Sequence, residues 1–188
     1  MLKSSALIMF TALALAGCSA ITPGGLFEAA QLNPLETNPG DVSVAVSAPD
    51  AVRLRDGDAT LYLGYRPENP DIAPIETTVA LSVRDHGQLP RAPERGEQFY
   101  VLSIGPDAAA QLSAVQKKIR EAKAAGVEGL GTLSIAVNSG CLTRDLEGAL
   151  IVSTWLRTDP TGDFVQLTRK TDLSDQSDQS LTDAFPRC

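Results

Sequence analysis

The residues able to do chemistry are few: three cysteines and a single histidine. Any Ser-His-Asp arrangement would have to use His86. Asp85 adjoins it, but neighbours in sequence rarely face each other in the geometry a triad needs. Ser139, beside Gly140 and Cys141, is the serine with the most suggestive setting, yet no Gly-x-Ser-x-Gly elbow surrounds it. A turn histidine and a turn serine are the plainer reading. Glu94 and Glu97 have the types of a glycosidase pair and equally those of surface charge. Gly126, Gly129 and Gly131 follow a helical stretch where a phosphate loop would follow a strand. Two cysteines and one histidine lack the ligand count and spacing that zinc wants. The polar repeat over 174–179 lacks the glycine and glutamate of a calcium loop. No catalytic residue, cofactor or metal site is assigned.

The chain begins with Lys3 and an apolar run over 6–16 that only Thr11 interrupts. The run is well short of the ~20 apolar residues a spanning helix needs. A charged start, a short apolar stretch and small residues at its end are the parts of a secretory signal. The small residues lead directly into Cys18, with no Ala-x-Ala site. Leu15-Ala16-Gly17-Cys18 resembles, residue for residue, the lipobox of bacterial lipoprotein precursors. The resemblance implies a diacylglyceryl group on the Cys18 sulfur and cleavage before Cys18. It also implies acylation of the new amino terminus by a fatty acid such as palmitate. Ser19 in the next position implies, by the rule of enteric bacteria, export to the outer membrane, facing the periplasm. Each buried methylene contributes about 0.8 kcal/mol, so two or three chains anchor stably where one does not. The rival reading is an ordinary signal peptide with a chance cysteine. The resemblance covers the leader alone. It divides the chain into a signal peptide over 1–17, a lipidated tether over 18–40 and a globular β-rich domain over 41–188.

Hydrophobic content of 43% and charged content of 21% are those of a globular domain. The formal net charge is −7, and becomes −8 if Lys3 leaves with the leader. That balance argues against nucleic acid as a partner, because phosphate binding needs clustered Lys and Arg. It also argues against electrostatic docking on anionic lipid, so the membrane contact expected is the lipid on Cys18. With Cys18 lipidated, Cys141 and Cys188 remain, and an even pair in an exported chain reads as a disulfide. Two free thiols or an intermolecular bridge are the alternatives.

Prolines and glycines mark 19–38 as tether, although Leu26, Phe27 and Leu32 could dock on the domain. Period-two alternation marks half-buried strands at 42–47, 60–65, 78–83 and 133–138. The stretch 98–104 is apolar on both faces and reads as a central strand. Asp107 reads as the N-cap of one amphipathic helix over about 107–125, with Leu112, Val115, Ile119 and Ala122 as its apolar stripe. Gly126 is its stop. Lys117, Lys118, Arg120 and Lys123 suit the negative end of its dipole, and would otherwise form a docking surface for acidic groups. Asp159-Pro160-Thr161-Gly162 predicts a hairpin between 149–157 and 163–169. Tyr62, Tyr65, Tyr100 and Trp155 read as core or edge aromatics. The order predicts a mainly β, single-domain β-sandwich, an immunoglobulin-like one among its forms, with the helix as a crossing connection. The alternative is an α+β mixed sheet in which 99–104, the helix and 133–138 form a βαβ crossover.

These residues favour a non-enzymatic, lipid-anchored binding or accessory component of an envelope assembly, whose partner is another envelope protein. An envelope hydrolase built around His86 and a small-ligand binding domain are the alternatives.

Overall fold

The computed structural model describes residues 33–174 and 181–188. Nine strands are assigned among them: β1 (Ser43–Pro49), β2 (Val52–Arg53), β3 (Ala59–Pro67), β4 (Ile75–Arg84), β5 (Glu97–Ile104), β6 (Gly129–Val137), β7 (Cys141–Leu142), β8 (Ile151–Arg157) and β9 (Val165–Asp172). Helix α1 (Pro106–Ala124) joins β5 to β6, and the short α2 (Leu181–Ala184) precedes the carboxyl terminus.

Seven strands form one sheet in the order β6-β3-β4-β5-β1-β8-β9, and every pairing in it is antiparallel. The molecule is therefore mainly β, as the alternation along the chain predicts. The sheet curls until its two halves face each other across a shared core, as in a sandwich. Leu61, Leu63 and Leu133 from β3 and β6 line the same cavity as Ile104 and Leu156 from β5 and β8. The strands are continuous, however, and not divided between the two sheets of an immunoglobulin domain. The βαβ alternative is overturned. Strand β6 lies beyond β4 and β3, pairs among the described residues only with β3, and runs antiparallel to β5. Helix α1 thus crosses over β4 and β3 to reach the sheet's far edge, packing chiefly on β4.

The helix forms where its stripe demands, with Leu112, Val115 and Ile119 buried in the core. Its start differs from expectation. Gly105 is the N-cap, Pro106 opens the first turn, and Asp107 sits inside that turn, where its charge favours the positive end of the dipole. Its stop is as predicted. Gly126 adopts φ +79°, and the N–H groups of Gly126 and Val127 donate to the carbonyls of Lys123 (3.0 Å) and Ala122 (3.0 Å), closing the last turn.

Strand β1 corrects the half-buried reading of 42–47. Ser43, Ala45 and Ser47 are buried as fully as Val44 and Val46 on the other face. On that face they lie between Phe99 and Val101 of β5 and Trp155 and Arg157 of β8, over which the segment 85–96 runs. Gly87 lies so close to Val101 that a Cβ there would come within 2.8 Å of it. Gln88 accepts a hydrogen bond from Arg157 (2.9 Å). The Arg91 guanidinium stacks over Phe99 and Trp155, which touch each other at 5.2 Å.

Candidate functional site

Three groupings position the residues singled out above, and the first is the carboxyl terminus. Cys141 and Cys188 form a disulfide, their Cα atoms 5.0 Å apart. The residues around it are laid down by a two-stranded ribbon in which β2 pairs with β7. The Cys188 N–H donates to the Leu142 carbonyl (3.1 Å) and the Leu142 N–H to the Pro186 carbonyl (2.8 Å). Phe185 is buried beneath this clasp.

The second grouping is the turn before β3. Asp58 is buried, and its carboxylate accepts from the Arg55 N–H (2.8 Å) and the Ser139 hydroxyl (2.6 Å). The Asp58 carbonyl accepts from the Asn138 N–H (2.8 Å). Ser139 is therefore a pin between the end of β6 and the start of β3. His86 lies exposed in the bend after β4 and hydrogen-bonds neither Ser139 nor Asp85. The arrangement does not assemble a nucleophile with a base. Glu94 and Glu97 are not a free carboxylate pair either. Arg91 holds Glu97 through two hydrogen bonds of 2.7 Å, and the Glu94 N–H adds a third (2.9 Å). Burial alone would raise the Glu97 carboxyl, but the bonds from Arg91, the Glu94 backbone and Ser47 outweigh it and hold its pKa below the ordinary value.

The third grouping is the point where the chain enters the domain, and sequence reasoning missed it. The expected tether, 18–40, ends earlier than drawn. Residues 33–41 lie against α1, and Pro39–Asp41 form a 3₁₀ turn. Buried Gln116 donates from its amide to the carbonyls of Pro34 (2.7 Å) and Thr37 (2.9 Å). Arg120 reaches the Leu35 carbonyl and pairs with Glu36 at 4.0 Å. Glutamine on the apolar side of a helix, beside Val115 and Ile119, was the available signal. Lys117 pairs with Glu121 (3.8 Å), while Lys118 and Lys123 are exposed. The lipobox, Cys18, and residues Leu26, Phe27 and Leu32 lie outside the described residues, as do residues 175–179 of the polar repeat.

Beneath the entering segment lies an apolar cavity of about 30 Å³, lined by Pro34, Leu61, Leu63, Leu112 and Leu133 among others. That is room for about two waters, an order of magnitude below the ~300 Å³ at which small-molecule sites begin. The aromatics are anchored structurally. Tyr65 donates to the Val127 carbonyl (2.7 Å), Tyr100 to the Val52 carbonyl (2.8 Å) and Tyr62 to Glu76 (2.7 Å). Among the described residues no cluster of three or more His, Cys, Asp or Glu could hold a metal ion, and no helix is long and apolar enough to cross a membrane.

Compared with protein-family models, with curated proteins and with solved structures, the chain finds no match.

Proposed function

We propose that this chain is a lipid-anchored lipoprotein of the bacterial cell envelope, held by acyl groups on Cys18 to the periplasmic face of the outer membrane. Its β domain acts there as a non-enzymatic binding or accessory module for another envelope protein. The observation that carries the reading is Leu15-Ala16-Gly17-Cys18 at the end of a short apolar leader. Two features of the domain support it. The Cys141–Cys188 bridge suits an oxidising compartment outside the cytoplasm. The entering segment is fastened to α1 from Pro34 onward, fifteen residues after Ser19. Fifteen residues reach at most about 50 Å, so the domain works close to its bilayer.

The test is fractionation of cells making the chain. The wild-type protein should pellet with membranes and resist washes of high salt and alkaline carbonate. Cys18→Ser should accumulate as the unprocessed, unacylated chain. Recovery of the wild-type protein in the soluble periplasm, without acyl groups, would overturn the proposal.

A further inference from the structure

The two edges of the sheet are built differently. The β9 edge carries Arg169 and Lys170, Lys170 adopts φ +49°, and the pairing of β9 with β8 shifts register twice. Charge and irregularity of this kind keep other strands from adding to an edge. The β6 edge has neither. Gly129–Val137 contains no charged residue, and its register with β3 runs unbroken over all nine positions. Leu130 on it is 71% exposed, against 38% for Ile72 and Leu89.

The hydrogen-bond alternation of β6 can be read from its two ends. The Glu68 N–H donates to the Glu128 carbonyl (2.9 Å) and the Asn138 N–H to the Asp58 carbonyl (2.8 Å). Hydrogen-bonded pairs therefore fall at even-numbered residues of β6. Gly129, Gly131, Leu133, Ile135 and Val137 turn their N–H and C=O groups to the free edge. The side chains of Leu133, Ile135 and Val137 face the core but stay only half-buried, and among the described residues no strand flanks them. Among the described residues, both the backbone row and the inner apolar row lack a neighbouring strand.

We infer that β6 is a homotypic docking edge, which pairs antiparallel with β6 of a second copy of this chain and joins the two sheets into one across a two-fold axis. A second copy fits because a chain of net charge −7 meets itself here without like-charge opposition. Antiparallel self-pairing also sets odd-numbered residues against odd-numbered ones. Free backbone groups then meet free backbone groups, and the inner row of Leu133, Ile135 and Val137 continues into its own copy. In the register centred on Leu133, Glu128 of each copy falls opposite Asn138 of the other. The inference does not depend on the lipid anchor.

The experiment is the mass of the full chain in mild detergent, by sedimentation equilibrium over a range of concentrations. Two protein chains per particle are expected. Gly131→Pro removes an outward N–H at a position where a Cβ meets nothing within 4 Å, and should weaken the dimer about tenfold or more. Thr132→Lys with Ser134→Lys, both on the exposed outer face, should give monomer alone. Mixed with Thr132→Glu and Ser134→Glu, it should give a mixed dimer. Circular dichroism verifies the fold of each variant, and the lysine and glutamate variants keep the test open if the proline variant fails to fold. A wild-type chain that stays monomeric would overturn the inference. So would a dimer indifferent to these changes, or lysine and glutamate variants that do not pair.

Discussion

Asp58 shows how much one side chain fastens here. It is 7% exposed, and three of the four hydrogen bonds it accepts come from residues on the far side of the β3–β6 pairing, Asn138 and Ser139. Asp58→Ala leaves the Arg55 N–H and the Ser139 hydroxyl without their acceptor, and should cost about 2–3 kcal/mol in urea unfolding. Ser139→Ala removes one donor only and should cost about 1 kcal/mol. Equal losses would refute the role given to Asp58. Glu97 supplies a pH signature. Its folded-state pKa is depressed, so its contribution is present above the unfolded value of about 4.3 and is lost as pH falls through the folded value. Urea midpoints between about pH 5 and 3 should therefore fall more steeply for the wild type than for Glu97→Gln. Parallel curves would show that Arg91 does not hold this carboxylate. At this scale the sequence was partly legible. Cys141 and Cys188 could be paired by counting. The partners of Ser139 and Glu97 could not, because Asp58 lies 81 positions away in one case and stacking on Phe99 and Trp155 orients Arg91 in the other.

Among elements, the helix was the most legible, since its stripe and its terminal glycine are local signals. The strands could be recognised by alternation, but their order could not, because pairing is decided by contacts distant in sequence. Strand β1 was misread as half-buried for the same reason: the residues flanking Ser43, Ala45 and Ser47 on the outer face come from β5 and β8, and 85–96 runs over them. The two-residue strands β2 and β7 carry no periodicity to detect. The β3–β6 pairing makes a contrast between two glycines. A Cβ at Gly129 would approach the Arg66 carbonyl to 2.4 Å, whereas one at Gly131 meets nothing within 4 Å. Gly129→Ala should destabilise the fold by about 1–3 kcal/mol and Gly131→Ala should not, as thermal melts would show. The entering segment gives a second test at this scale. Gln116→Ala removes both amide bonds to Pro34 and Thr37 and should cost about 2 kcal/mol. It should also speed limited proteolysis within 33–41, with α1 intact. Unchanged cleavage would mean that the segment is held by other contacts.

For the whole molecule, two fastenings tie segments distant in sequence to the domain. Gln116 and Arg120 hold Pro34 and Leu35 against α1, and the Cys141–Cys188 bridge holds the segment after α2 to β7. The bridge closes a loop of 47 residues, worth about 4 kcal/mol in chain-entropy terms. Cys188→Ser should therefore melt well below the wild type, while reductant should shift the wild type and leave the variant unmoved. A variant as stable as the wild type would remove the bridge from the account. The most direct measurement is mass spectrometry of the amino-terminal peptide from membrane-isolated protein. The account predicts a chain that begins at Cys18 and carries diacylglyceryl and acyl groups there. A chain beginning elsewhere, or one beginning at an unmodified Cys18, would contradict it.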